Sequence, residues 1–150
     1  MQRNITYQEA LKYFAYFLAL LFYETLTKIY VWLPPLLGLA FLVFVYAIEN
    51  NKLYLLLYTV GYLVVFEADN GYILLSSVLF FVLLYYLGLM RLRQIISCEK
   101  CLDYMSVALA YGGFYLFSFV IHPLGDFETP SMDGWVMYYI LIEIAVLFLL

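Results

Sequence analysis

The stretch LYLLLYTVGYLVVFEADNGYILLSSVLFFVLLYYLGLMRLR, residues 53–93, decides the fold. It holds two apolar runs, 53–66 and 72–90. The acidic Glu67-Ala68-Asp69-Asn70-Gly71 separates them, and Arg91-Leu92-Arg93 stops the second. A membrane-spanning helix needs about 20 mostly apolar residues, with a range of about 17–25. The second run meets that length. The first meets it only if its acidic end forms the last helical turn, or if the helix tilts or the bilayer thins around it. The stretch therefore reads as two spanning helices joined by a tight turn.

Working outward, polar interruptions divide the 150 residues into six apolar segments. A first helix is expected over about 7–28, with Glu24 and Lys28 four apart on one face, where they can pair. The second starts near Pro34-Pro35, a dipeptide that opens a helix rather than continuing one, and closes at Glu49-Asn50-Asn51-Lys52. The runs 53–66 and 72–90 form the third and fourth. The fifth, 104–121, follows a polar loop containing Cys98 and Cys101, and the sixth covers 135–150. The expectation is one all-α domain over 1–150, a polytopic membrane protein of six short transmembrane helices. A five-helix count, with the second or third segment re-entrant, is the alternative.

Composition agrees with this segmentation. Apolar residues make up 67% of the chain and charged residues 12%, against about 45–50% and about 25% in soluble domains. The mean hydropathy is +0.95. So little charge cannot coat a soluble surface, which excludes disorder, nucleic-acid binding and a soluble enzyme fold. Orientation follows from Lys and Arg. In the six-helix layout Arg3, Lys12, Lys52, Arg91, Arg93 and Lys100 fall on one side, and only Lys28 on the other. Both termini are expected in the cytoplasm, with Glu67, Asp69, Asp126, Glu128 and Asp133 outside. The N-terminal stretch lacks a small-residue cleavage site and reads as an uncleaved first helix.

Few residues can carry chemistry. Cys98 and Cys101 form a C-x-x-C motif in the expected cytoplasmic loop, near Arg93 and Lys100. Such spacing suits a redox pair, although two reduced thiols in a reducing compartment is the plainer reading. A structural zinc site needs four ligands, and His122, the single histidine, falls on the opposite side, so no metal or other cofactor is expected. Only a dimer could bring four cysteines together. Glu143 lies midway along the sixth helix, and an acid at that depth must find a partner on another helix or be neutral. Interhelical hydrogen bonding is the favoured reading and proton relay the other. Glu67 and Asp69 read as a solvated turn. The pairs Ala108-x-x-x-Gly112, with Gly113 beside it, and Ala15-x-x-x-Ala19 fit interior packing seams, or dimer contacts. The 17 Tyr and 13 Phe exceed what interfacial belts use and suggest a broad aromatic face. His122 with nearby acids is the only candidate constellation for an enzyme, and the chain reads as non-enzymatic.

Gly61, Glu67 and Gly71, the long apolar run 72–90 and the basic Arg91-Leu92-Arg93-Gln94 leading toward Leu102 together resemble the middle helices of the bacterial rod shape-determining MreD family. Pro34-Pro35 is similar to the proline that often opens that family's second span. Glu67 stands where the family usually has Asp. The resemblance implies a multi-pass scaffold in the bacterial inner membrane that packs against an MreC-like single-span protein and other members of the cell-wall elongation, or peptidoglycan synthesis, complex. Gly61, Glu67, Gly71, Ala108, Gly112 and Gly113 would be its helix-packing or partner-contact residues. The family fold is similar to the vitamin-binding component of energy-coupling-factor transporters, which supplies a second reading with a ligand held by the 122–134 loop.

Overall fold

The computed structural model describes residues 2–124 and 134–149. Asp126, Glu128, Asp133 and most of the expected 122–134 loop lie outside the described residues, as does the side chain of Arg3.

Among the described residues the chain forms six helices and no strand. They are α1 (Gln2–Ile29), α2 (Leu37–Glu49), α3 (Leu53–Asn70), α4 (Ser76–Ile95), α5 (Glu99–Ile121) and α6 (Trp135–Leu149). A 3₁₀ turn, His122–Leu124, extends α5. The six-segment count is the one observed. The acidic residues Glu67 and Asp69 do form the last turn of α3, and Gly71 ends it at φ 69°, a left-handed position that suits glycine.

Several helix boundaries differ from expectation. α2 begins at Leu37 rather than at Pro34, because residues 30–36 run as turn and extended chain and Leu36 sits at φ 52°. α4 begins at Ser76 rather than Tyr72, again after a left-handed leucine, Leu75 at φ 68°. It also carries through Arg91 and Arg93 to Ile95, with a π-helical turn over Leu84–Leu89 on the way. α5 begins at Glu99, so the cysteine loop shrinks to 96–98 and Cys101 is helical. Propensity misplaced this start because Cys98 itself acts as the N-cap, its Sγ accepting from the Cys101 amide at 3.4 Å.

The helices alternate in direction. Lys52, at the start of α3, reaches the Tyr13 hydroxyl of α1 at 3.4 Å, while Lys28 of α1 reaches Asn70 Oδ1 at the end of α3 at 2.8 Å. α1 and α3 therefore run parallel and α2 returns between them. At one end of the bundle Arg93 pairs with Glu49, tying the last turns of α4 and α2. Lys52 also sits 4.9 Å from the Tyr46 ring centroid. Hydrogen bonds that the Lys52 ammonium donates to the Tyr46 and Tyr13 hydroxyl oxygens hold it above its usual pKa. The Lys52, Glu49 and Arg93 contacts thus gather at one end, and the Lys28, Asp69 and Asn70 contacts at the other.

The core forms around α2, which packs on α3, α5 and α6. Its Phe41 and Phe44 meet Phe81 of α4 edge-on, at 5.1 and 5.7 Å between ring centroids. Phe114 of α5 stacks near Phe66, Tyr72 and Phe80. The outer faces are apolar as well. Phe22, Leu87, Leu116, Phe119, Met137 and Phe148 are all exposed on the outside of the bundle. α4 and α5 are long and apolar enough to cross a membrane; α2 and α6 are apolar but shorter. At a rise of 1.5 Å per residue, the 13 residues of α2 cover only about 20 Å. Phe81 is fully buried between α2 and α4, and truncating it to Ala should lower unfolding stability by about 3–5 kcal/mol. Thermal unfolding in detergent measures that, and an unchanged midpoint would show that the α2–α4 aromatic contact is not formed.

Candidate functional site

Two of the helices begin abruptly, and each beginning is closed by a glutamate from another helix. A helix start leaves amide N–H groups without intrahelical acceptors. A left-handed residue just before the start turns successive N–H groups inward as an anion-binding nest. At α4, Glu67 accepts from the Leu75 amide, from Ser76 Oγ at 3.0 Å and from the Ser77 amide. Glu67 is wholly buried. The solvated-turn reading of Glu67 is thereby corrected, because its carboxylate is the cap of the next helix; Asp69 is exposed as expected.

At α2 the cap comes from α6, more than a hundred residues away. Glu143 Oε2 accepts from the Leu39 amide at 2.9 Å, and the Gly38 amide also bonds to this carboxylate. The Tyr111 hydroxyl of α5 donates to the other oxygen. Glu143 is wholly buried and joins three helices, which is the interhelical hydrogen bonding anticipated for it. Gly38 makes the approach feasible. A Cβ there would lie 2.6 Å from Glu143 Oε2 and 3.1 Å from the Val107 Cα. Nothing in the sequence singled out Gly38, since its partner is so distant along the chain.

Residues 30–36 have no helical hydrogen-bond ladder for most of their carbonyls, and tyrosines supply donors. The Tyr23 hydroxyl donates to the Pro34 carbonyl at 2.9 Å, Tyr62 to Pro35, and Tyr139 to Val31. Part of the tyrosine surplus therefore serves this segment rather than a lipid belt. Tyr62 also reaches Glu24 Oε2 at 3.0 Å, and Glu24 is 1% exposed. Lys28 takes neutral partners instead, the Asp69 carbonyl and Asn70 Oδ1. Glu24 and Lys28 thus turn to different groups rather than to each other.

Beside this segment lies a cavity of about 340 Å³ between α1, α3, α5 and α6, within the range of about 300–1,000 Å³ usual for ligand sites. Glu24 and Lys28 line it, with aromatic rings that include Phe66, Tyr72, Tyr111 and Tyr139.

The remaining sequence candidates divide. Gly61 lets the Phe17 ring close in, at 3.2 Å from where a Cβ would stand, and Gly113 does the same for Phe80, at 2.8 Å. Ala108 and Gly112 face outward, as do Ala15 and Ala19. The interior seam expected at those pairs runs instead through buried Ser106 and Ala110 of α5, because the buried face is set by contact with α2. Gly71 serves as a helix terminator rather than a packing contact. Cys98 and Cys101 are both exposed.

Replacing Glu143 by Leu strands the Gly38 and Leu39 amides, at about 1–3 kcal/mol for each buried donor left unpaired. Glu143→Gln keeps an acceptor and should recover most of that loss, and Gly38→Ala should cost about 1–3 kcal/mol through overpacking. Thermal unfolding of the three variants checks the cap; equal midpoints for the Leu and Gln variants would refute it. Comparison of the chain with models of protein families, with curated proteins and with solved structures returned no match.

Proposed function

We propose that the chain is a multi-pass membrane protein with six spanning helices and cytoplasmic termini, acting as a scaffold subunit of the MreD type. The observation that carries the membrane reading is the placement of large apolar side chains outside as well as inside. Soluble monomers rarely expose contiguous apolar patches beyond a few hundred Å². Here exposed residues such as Phe14, Leu57, Leu79, Tyr86, Leu116 and Leu141 occur on helix after helix. Two helices have the length and apolarity of spans. The gathering of Lys52 and Arg93 at one end of the bundle supports the assigned orientation.

The scaffold role draws on the resemblance of Gly61, Glu67 and Gly71 and on what the polar groups do. Glu67 and Glu143 are committed to capping helices, which makes them parts of the frame. The outward Ala108 and Gly112 offer a place where a partner helix can approach closely. Partners would be an MreC-like single-span protein and the elongation complex in a bacterial inner membrane, or a second copy of the chain.

Two measurements test this. Cys98 and Cys101 lie at the end assigned to the cytoplasm, so a membrane-impermeant maleimide should label them only after cells are permeabilised. Labelling in intact cells would reverse the orientation. Purification in mild detergent should recover a single-span protein with a large periplasmic domain, and Ala108→Leu or Gly112→Leu should reduce that recovery several-fold. Recovery of no elongation-complex member would remove the scaffold role.

A further inference from the structure

The cavity beside residues 30–36 has a polar layout that the scaffold role does not use. We propose that it binds an ammonium–phosphate zwitterion of the ethanolamine type, with the ammonium against Glu24 and the phosphate at Lys28.

Hydrogen-bond supply at Glu24 is the first ground. Among the described residues its donor is the Tyr62 hydroxyl, and the single proton of that hydroxyl also faces the Pro35 carbonyl at 2.5 Å. A backbone carbonyl can only accept, so one proton serves two acceptors. A buried carboxylate short of donors is stabilised by a cationic donor entering the cavity it lines. The walls suit that cation, since the rings of Tyr111, Phe114 and Tyr139 border the same space and aromatic faces attract ammonium groups.

Lys28 provides the second ground. It lies one helical turn from Glu24, and side chains so spaced stand about 5–6 Å apart at Cβ. Its Nζ is held by two neutral oxygens, at 3.1 Å from the Asp69 carbonyl and 2.8 Å from Asn70 Oδ1. Its charge is therefore fixed in place without a carboxylate contact at that distance. A carboxylate and an ammonium presented to one cavity from adjacent helical turns suit a ligand whose own opposite charges are joined by a short link. The mouth of the cavity favours a lipid source. Val31 lines it while 63% exposed, and Ile29 and Trp32 beside it are exposed too, so an acyl chain could lie along this edge.

The full-length protein in dodecyl maltoside tests the site. Short-chain phosphatidylethanolamine, short-chain phosphatidylglycerol and free phosphoethanolamine are titrated, with the thermal midpoint and native mass spectrometry as readouts. The ethanolamine lipid should raise the midpoint saturably and remain bound in the mass spectrum, and phosphatidylglycerol should do neither. Lys28→Ala, at an exposed position, should weaken the binding about tenfold or more while leaving the ligand-free midpoint near the wild-type value. Glu24→Gln should weaken it at least as much. If that variant fails to fold, Lys28→Ala carries the test. Free phosphoethanolamine binding as tightly as the lipid would identify a soluble zwitterion, whereas binding of the lipid alone identifies a headgroup. Equal response to both lipids, or undiminished binding in Lys28→Ala, would overturn the proposal. These outcomes are separate from partner recovery, so either idea can fail while the other stands.

Discussion

The hydrogen bonds from the start of α2 to Glu143 are the constraint on which the bundle depends. α2 is the central helix, and it starts late because Pro34-Pro35 and the left-handed Leu36 precede it. Its first amides open deep among other helices, where water cannot serve them and an unmet donor is costly. A carboxylate at a helix N-terminus answers both the missing acceptors and the positive end of the macrodipole. Because Glu143 comes from α6 and is also bonded to Tyr111 of α5, one side chain sets the positions of three helices. The absence of a Cβ at Gly38 is part of the same device, since it determines how close α2 can lie to α5 and α6.

The same solution appears a second time at α4. Leu75, like Leu36, is a left-handed leucine immediately before a helix, and Glu67 receives the amides that follow it. The two acids differ in how far they reach. Glu67 closes a local turn between consecutive helices, so α3 and α4 can form a stable pair from nearby sequence. Glu143 needs the last helix in place before the second is complete. The α3–α4 contact is thus local in sequence, whereas the closure around α2 joins residues more than a hundred apart.

The legible part of this fold was the part written in composition and in breaks. The runs either side of Glu67–Gly71 and the six-segment count follow from apolar length interrupted by charge, a signal that needs no tertiary knowledge. Helix starts were less legible. Tyr72 to Leu75 are as apolar as the helix they precede, and only the requirement that Glu67 find donors at Leu75 and Ser77 sets the true start. The small-residue pairs show the limit of spacing arguments. Ala108 and Gly112 have the same separation as Ser106 and Ala110, and spacing alone cannot say which column faces the core. That choice is made by α2, whose packing surface is fixed elsewhere. Gly38 and the tyrosine donors were illegible for the same reason, since each answers a group far away in sequence.

Tyrosine is the residue that lets a chain with so few charges keep a break like 30–36. Buried irregular backbone needs hydrogen-bond partners, and a phenol brings a donor on a side chain that is otherwise apolar. Tyr23, Tyr62 and Tyr139 come from α1, α3 and α6 and converge on three carbonyls of one short segment. At Tyr62 the hydroxyl so used also faces a second acceptor, Glu24. The break that shortens α2 therefore does two things at once. It creates the late helix start that requires Glu143, and it opens beside itself an aromatic cavity lined by the buried Glu24. The frame and the cavity have a single origin, the two prolines that α2 cannot absorb.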